Sequence, residues 1–160
     1  MSTTTLASPQ WLTDGEMRGW RAFAEVNHHL MAALEADLSP HGLTFGDYEV
    51  LVNLSEADNG RLRMCDLADN LGLSPSGLTR RLDGLVKAGY VARQPSSEDR
   101  RVTLATLTES GLAVMRSAAV DHLASVRRHL IDLLTEEQIT TLGDIFIAVG
   151  RGLGRTTTIS

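Results

Sequence analysis

The chain has 160 residues, 42% of them hydrophobic and 22% charged, and a net charge of −5. That length suits one domain, or one domain with helical extensions, around a real core. A single cysteine excludes an internal disulfide framework, no run approaches the ~18 apolar residues of a membrane span, and an aromatic content of 4% argues against single-strand binding by stacking. The opening MSTTTLASPQ lacks the charged and apolar regions of a signal peptide, so a cytoplasmic protein with no membrane association is expected.

Residues 1–12 are Ser/Thr-rich and read as a loosely ordered start. Thr13-Asp14-Gly15-Glu16 is a capping box, in which Thr13 accepts the Glu16 amide and Glu16 reaches back. It opens a helix to about Leu38, with Met17, Trp20, Ala24, Met31, Leu34 and Leu38 at helical spacing. Ser39-Pro40-His41-Gly42 breaks it, and a second helix starts at Thr44-Phe45-Gly46-Asp47 and ends at Asn59-Gly60. After the short segment Leu62-Arg63-Met64, a third helix spans about Cys65 to Leu71 with Gly72 as its C-cap. Ser74-Pro75 pairs a favoured N-cap with a proline tolerated at the first helical position, and that fourth helix runs to Ala88. Tyr90–Arg93 and Arg101–Ala105 read as two strands around a polar turn. Thr108 caps a long fifth helix, Thr135-Glu136-Glu137-Gln138 is a further capping box for a sixth, and residues 151–160 read as a frayed tail.

The fold class expected is mainly α with a small β-hairpin wing: a winged helix–turn–helix over residues 44–106, flanked by long terminal helices at 13–38 and 108–150. The first, fifth and sixth helices are long and amphipathic, and one winged domain is too small to cover them all. Pairing with a second copy is the reading favoured over an intramolecular helical cap.

Charge singles out residues 74–101. Six basic residues against three acidic ones leave that stretch at +3 and the rest of the chain at −8. A positive patch on a negative body is the footprint of a polyanion-binding surface. A helix that enters the major groove needs small polar residues at its N-terminal end and donors aimed at bases and phosphates. Ser74, Ser76, Gly77, Thr79 and Arg80 meet that need, with Arg81 beside them, while Leu78, Leu82, Leu85 and Val86 supply an apolar back. The turn carries Glu98-Asp99-Arg100-Arg101, and Arg93 precedes it. An arginine at a wing tip can enter the minor groove, where narrow A·T-rich segments concentrate negative potential. Asp99 is sensible there if it pairs with a neighbouring arginine and fixes the wing. An amphipathic helix with solvated charges and an ordinary polar turn would carry the same residues, and it is their succession that favours double-stranded DNA.

The stretches GLTFGDYEVLVNLSEA, RMCDLADNLGLSPSGLTRRLDGLVKAGYV, Asp99-Arg100-Arg101 and LATLTESGLAVM together resemble the MarR family of bacterial transcriptional regulators, over about residues 13–150. The resemblance implies a homodimer whose terminal helices interlock and whose two winged domains bind a pseudo-palindromic operator. It also implies that Arg101 is the wing arginine directed into the minor groove, with Asp99 as its orienting partner. Repression relieved by a small phenolic or anionic effector is a further implication, with Trp20, Phe23, Asn27, Met31 and Tyr48 as pocket candidates, although helically spaced Trp and Met more often belong to a core.

Other functions fare less well. Cys65 stands where the third helix would usually place a Ser or Thr cap, and it reads as a quiet, partly buried thiol, with redox sensing as the alternative. The five histidines contain no pair at i and i+4, so neither a metal site nor a cofactor is expected. No phosphate-binding glycine loop, nucleophile elbow or metal-hydrolase motif is present, which leaves no catalytic residues to name and no case for an enzyme. A winged-helix dimer serving as a protein-interaction module is the runner-up, supported by the acidic whole-chain balance and opposed by the +3 segment.

Overall fold

A computed structural model describes residues 10–154; the expected loose start and frayed tail lie mostly outside them. The chain forms α1 (Asp14–Leu38), α2 (Phe45–Glu56), β1 (Arg61–Arg63), α3 (Met64–Leu71), α4 (Pro75–Lys87), β2 (Val91–Pro95), β3 (Thr103–Leu107), α5 (Glu109–His129) and α6 (Glu136–Gly152). Among the described residues no helix is long and apolar enough to cross a membrane.

Local chemistry sets most helix starts. Thr13 accepts the Glu16 amide at 3.3 Å while Glu16 accepts the Thr13 amide at 2.7 Å. Thr44 with Asp47 and Thr135 with Gln138 repeat the exchange. Ser74 and Thr108 accept the amides of Gly77 and Gly111 at 3.1 and 3.0 Å. Each such cap is worth about 1 kcal/mol. The turn from α3 to α4 closes on Gly72, whose φ of 64° is left-handed, and the Leu73 amide reaches back to the Ala68 carbonyl at 2.9 Å. Glycine adopts that conformation with no Cβ penalty.

α2, α3 and α4 share one core. Leu51, Leu54, Leu67, Leu78 and Leu82 are fully buried in it, and Leu38 of α1 and Ala118 of α5 close it from the other side. The strands form an antiparallel sheet in the order β1-β3-β2. Leu62 and Arg93 both lie opposite Ala105, so these three share the inner face, whereas Arg61 and Arg63 point outward. The base of the hairpin is fastened to α5: the Thr108 amide bonds the Tyr90 carbonyl at 3.1 Å, and the Thr108 hydroxyl bonds the Gly89 carbonyl at 2.7 Å. Gly111 lies so close to the Tyr90 carbonyl that a Cβ there would collide with backbone.

Some boundaries differ from the sequence reading. β2 begins one residue later than expected, because the Tyr90 amide still bonds back to Leu85 in α4, and β3 two residues later, because Val102 belongs to the turn: its amide bonds the Asp99 carbonyl and its carbonyl takes the Ser96 amide. β1 was read only as a connecting segment, since three residues are too few to declare a period of two. α6 continues through Gly152, past the expected boundary at 150.

α6 has no buried residue, and α1 buries only Leu34 and Leu38. Trp20, Phe23 and Val26 of α1, Val120 and Leu123 of α5, and Ile145, Phe146 and Val149 of α6 are all exposed. Phe23 and Phe146 meet with ring centroids 6.0 Å apart, so the exposed apolar residues of α1 and α6 adjoin.

His122 lies where α5 crosses α2, its ring 4.8 Å from that of Tyr48 and 5.9 Å from that of Phe45. Its Nδ1 is buried with no hydrogen-bond partner, and burial holds the imidazole below its ordinary value of 6.5. The folded state therefore favours neutral His122. Its contribution to stability is complete above about pH 6.5 and is lost as acidification proceeds toward the lowered folded value. We expect the urea midpoint of the wild type to fall more steeply between pH 7 and pH 5 than that of His122→Phe; parallel profiles would refute the assignment.

Candidate nucleic-acid interface

The N-terminal end of α4 is small, polar and exposed. Ser74 caps the helix and lies 3.2 Å from the Ser76 hydroxyl, while Thr79 donates to the Pro75 carbonyl at 2.9 Å. Gly77 fits under the Ser74 side chain, whose oxygen would lie 3.1 Å from an added Cβ. Arg80 projects from the next position, exposed and in no ion pair among the described residues.

Arg81 behaves differently. Its guanidinium folds back over Gly46 in the first turn of α2, occupying the space that a Cβ at that glycine would need. Burial pushes the Glu49 carboxyl above its ordinary pKa, and the charge of Arg81 pulls it partly back. The structure thus places Arg81 between α4 and α2 instead of beside Arg80.

Arg93 connects the wing to the recognition helix. From the inner face of β2 it donates to the Asp83 carboxylate and to the Thr79 carbonyl, both at 2.8 Å. Its Nε is buried without a partner. Arg93 was grouped above with the DNA-facing cations, yet its guanidinium is occupied by α4.

At the wing tip, Asp99 accepts the Arg101 backbone amide at 2.9 Å. Glu98 donates its amide to the Ser96 hydroxyl at 3.2 Å, and the Ser96 amide bonds the Val102 carbonyl at 2.8 Å. Asp99 does fix the turn, but through the main chain and not through a neighbouring guanidinium. Arg100 and Arg101 are exposed and enter no ion pair among the described residues. Between wing, α4 and β1 lies an open hollow of about 550 Å³ lined by Arg63, Cys65, Thr79, Arg93 and Arg101, among others.

A helix with small polar residues at its exposed N-terminal end, braced to an arginine-tipped hairpin, matches the needs of duplex recognition. A MarR-family profile matches residues 41–102, which span α2 to the wing. The chain is 46% identical to AbsC, a MarR family transcriptional regulator from Streptomyces coelicolor, covering 91% of this chain and 98% of that one with a TM-score of 0.87. The chain belongs to the MarR family. Sco3205, a MarR family regulator from the same organism solved in complex with DNA, is 36% identical over 92% of this chain and 93% of that one, with a TM-score of 0.87. YfiV of Bacillus subtilis, an HTH-type transcriptional regulator, is 30% identical over 138 residues, 84% of this chain and 82% of that protein. As a MarR-family protein the chain is a transcriptional regulator and not an enzyme.

The other residues singled out from sequence fall in separate places. Trp20 and Phe23 stack toward Phe146 on the exposed helical face, and Asn27 is exposed on α1. Met31 lines a groove of about 510 Å³ with His28 and Glu35, whereas Tyr48 is buried against His122. Cys65 is not partly buried as expected: Arg63 precedes α3 as its N-cap residue, Cys65 is the second helical residue, and its thiol is exposed, 3.5 Å from Asp66. The histidines are dispersed, with His41 bonded to Asp121 at 2.7 Å and His29 to the Glu25 carbonyl at 2.9 Å. Among the described residues no three His, Cys, Asp or Glu side chains converge as metal ligands. Sequence reasoning missed Asp83 and Gly46, whose partners are remote in the chain, and the outward arginines of β1, for which the alternation RLR was the available signal.

Removing the Arg93 guanidinium should loosen the wing more than the core. The pair with Asp83 is partly exposed, with side-chain accessibilities of 29% and 60%, so the global loss in Arg93→Ala should be only about 1 kcal/mol. Hydrogen exchange should show faster amides in β2 and β3 and unchanged protection in α2. Uniform change across both regions would contradict the brace.

Proposed function

We propose that two copies of this chain form a homodimeric repressor that reads a pseudo-palindromic duplex with α4 in the major groove and the wing arginines in the minor groove. The observation that carries the reading is the pair of unpaired guanidiniums, Arg100 and Arg101, at the tip of a wing fastened to the exposed end of α4. Ser74, Ser76, Gly77, Thr79 and Arg80 form the groove-facing end of that helix. Sco3205, solved with DNA, supports the partner class.

The apolar residues of α1, α5 and α6 supply the second half of the argument. A contiguous apolar face on an otherwise charged chain calls for a covering surface, and a two-fold partner would cover it with the same residues. In this arrangement residues 13–38 and 108–150 are the dimerisation helices and residues 44–106 the reading head. Repression follows the named activity of relatives such as the transcriptional repressor YetL of Bacillus subtilis, 25% identical over 135 residues. Release by a small phenolic or anionic effector would act by changing the separation of the two heads.

Wild-type affinity for duplex DNA should fall about 10³–10⁵-fold between 50 and 200 mM salt, as for a protein making 6–10 phosphate contacts. Arg101→Ala should weaken binding by about 1–3 kcal/mol, roughly 5- to 150-fold, with an unchanged dimer peak in sedimentation. Unaltered affinity in that variant would sink the wing assignment.

A further inference from the structure

We propose that Arg63, on the edge strand β1, holds a backbone phosphate of the bound duplex and is a third point of contact between the recognition helix and the wing. The inference rests on the DNA-binding reading above and goes beyond it, since β1 belongs to neither reading element.

The sheet register supplies the placement. Arg63 lies opposite Leu104 and Arg61 opposite Thr106 on β3, so Arg63 is at the wing-tip end of β1 and Arg61 at the end nearer the body. The chain then turns into α3 at Met64, which sets Arg63 on the hollow it shares with Thr79 of α4 and Arg101 of the wing. That hollow is therefore bordered by both elements proposed to touch DNA.

Charge supplies the chemistry. No acidic residue lines the hollow. Of its three arginines, Arg93 is neutralised by Asp83, whereas Arg63 and Arg101 enter no ion pair among the described residues. Holding two uncompensated guanidiniums on one surface, in a chain of net charge −5, is unfavourable until an anion arrives. A phosphate is the anion that an arginine fork fits best. Arg61 does not line this hollow; it borders a second one, with Asp58 and Glu98 in its wall, which Arg63 also reaches.

The test is the salt dependence of duplex affinity in the full-length protein. Each lost phosphate contact lowers the slope of log K against log salt by about 0.9. Arg63→Gln should therefore lower it by about 0.9 per head, or about 1.8 for a two-headed dimer, and weaken selected and random duplexes about equally. Arg63→Lys should keep the slope, Arg61→Gln should change it less, and Arg116→Gln on α5 should leave it alone. Arg63 is exposed and makes no side-chain hydrogen bond or ion pair among the described residues, so thermal unfolding should match the wild type. An unchanged slope in Arg63→Gln, with wild type binding normally, overturns this contact alone. Absence of salt-dependent duplex binding by the wild type overturns the functional reading itself.

Discussion

One guanidinium governs how the reading surface is held. Arg93 leaves the inner face of β2 and bonds both the side chain of Asp83 and the main chain of Thr79, two positions one turn apart on α4. Only a planar fork can satisfy a carboxylate and a carbonyl at once, and lysine at this position would lose one of the two directions. The bonds are made at some cost, because Nε is enclosed without a partner. A short hairpin on its own is marginal in water. Tied to α4 by Arg93 and to the start of α5 by Thr108, it holds its arginines at a fixed offset from the helix.

This arrangement divides the arginines of the +3 segment into two kinds. Arg93 and Arg81 build the head: the first braces the wing, and the second fills the space above Gly46 and sits beside Glu49. Arg80, Arg100 and Arg101 remain available to a partner. The charge that recruits the duplex is thus smaller than the composition suggests, and the geometry that orients it is stronger. An acidic remainder adds a general repulsion against loose contact elsewhere on the body. In the proposed dimer, two heads would supply by repetition what one head lacks in charge.

What could be read in the sequence was the local chemistry. The caps at Thr13, Thr44, Ser74, Thr108 and Thr135 each join residues three positions apart, and all five form. The helix order, the apolar back of α4 and the wing followed from period and punctuation. What escaped depends on partners distant in the chain. Asp83 and Arg93 are ten residues apart and Gly46 and Arg81 thirty-five, and no spacing rule links them. Asp99 was expected to pair with a neighbouring arginine side chain, but it accepts the Arg101 backbone amide instead, a choice set by ångström-scale backbone geometry that sequence does not reveal. Cys65 was read at the N-cap position, but the cap is Arg63, two residues earlier, and the thiol is exposed.

The terminal helices carry the remaining argument, because their apolar residues stay uncovered in one chain and their pairing would fix the distance between two heads. Hydroxyl-radical footprinting of a duplex selected by the protein from a random pool measures that distance directly. Two protected patches on one face of the duplex, with centres about 34–36 Å apart, are the predicted result. A single patch of half-site length at saturating protein would contradict the two-headed reader.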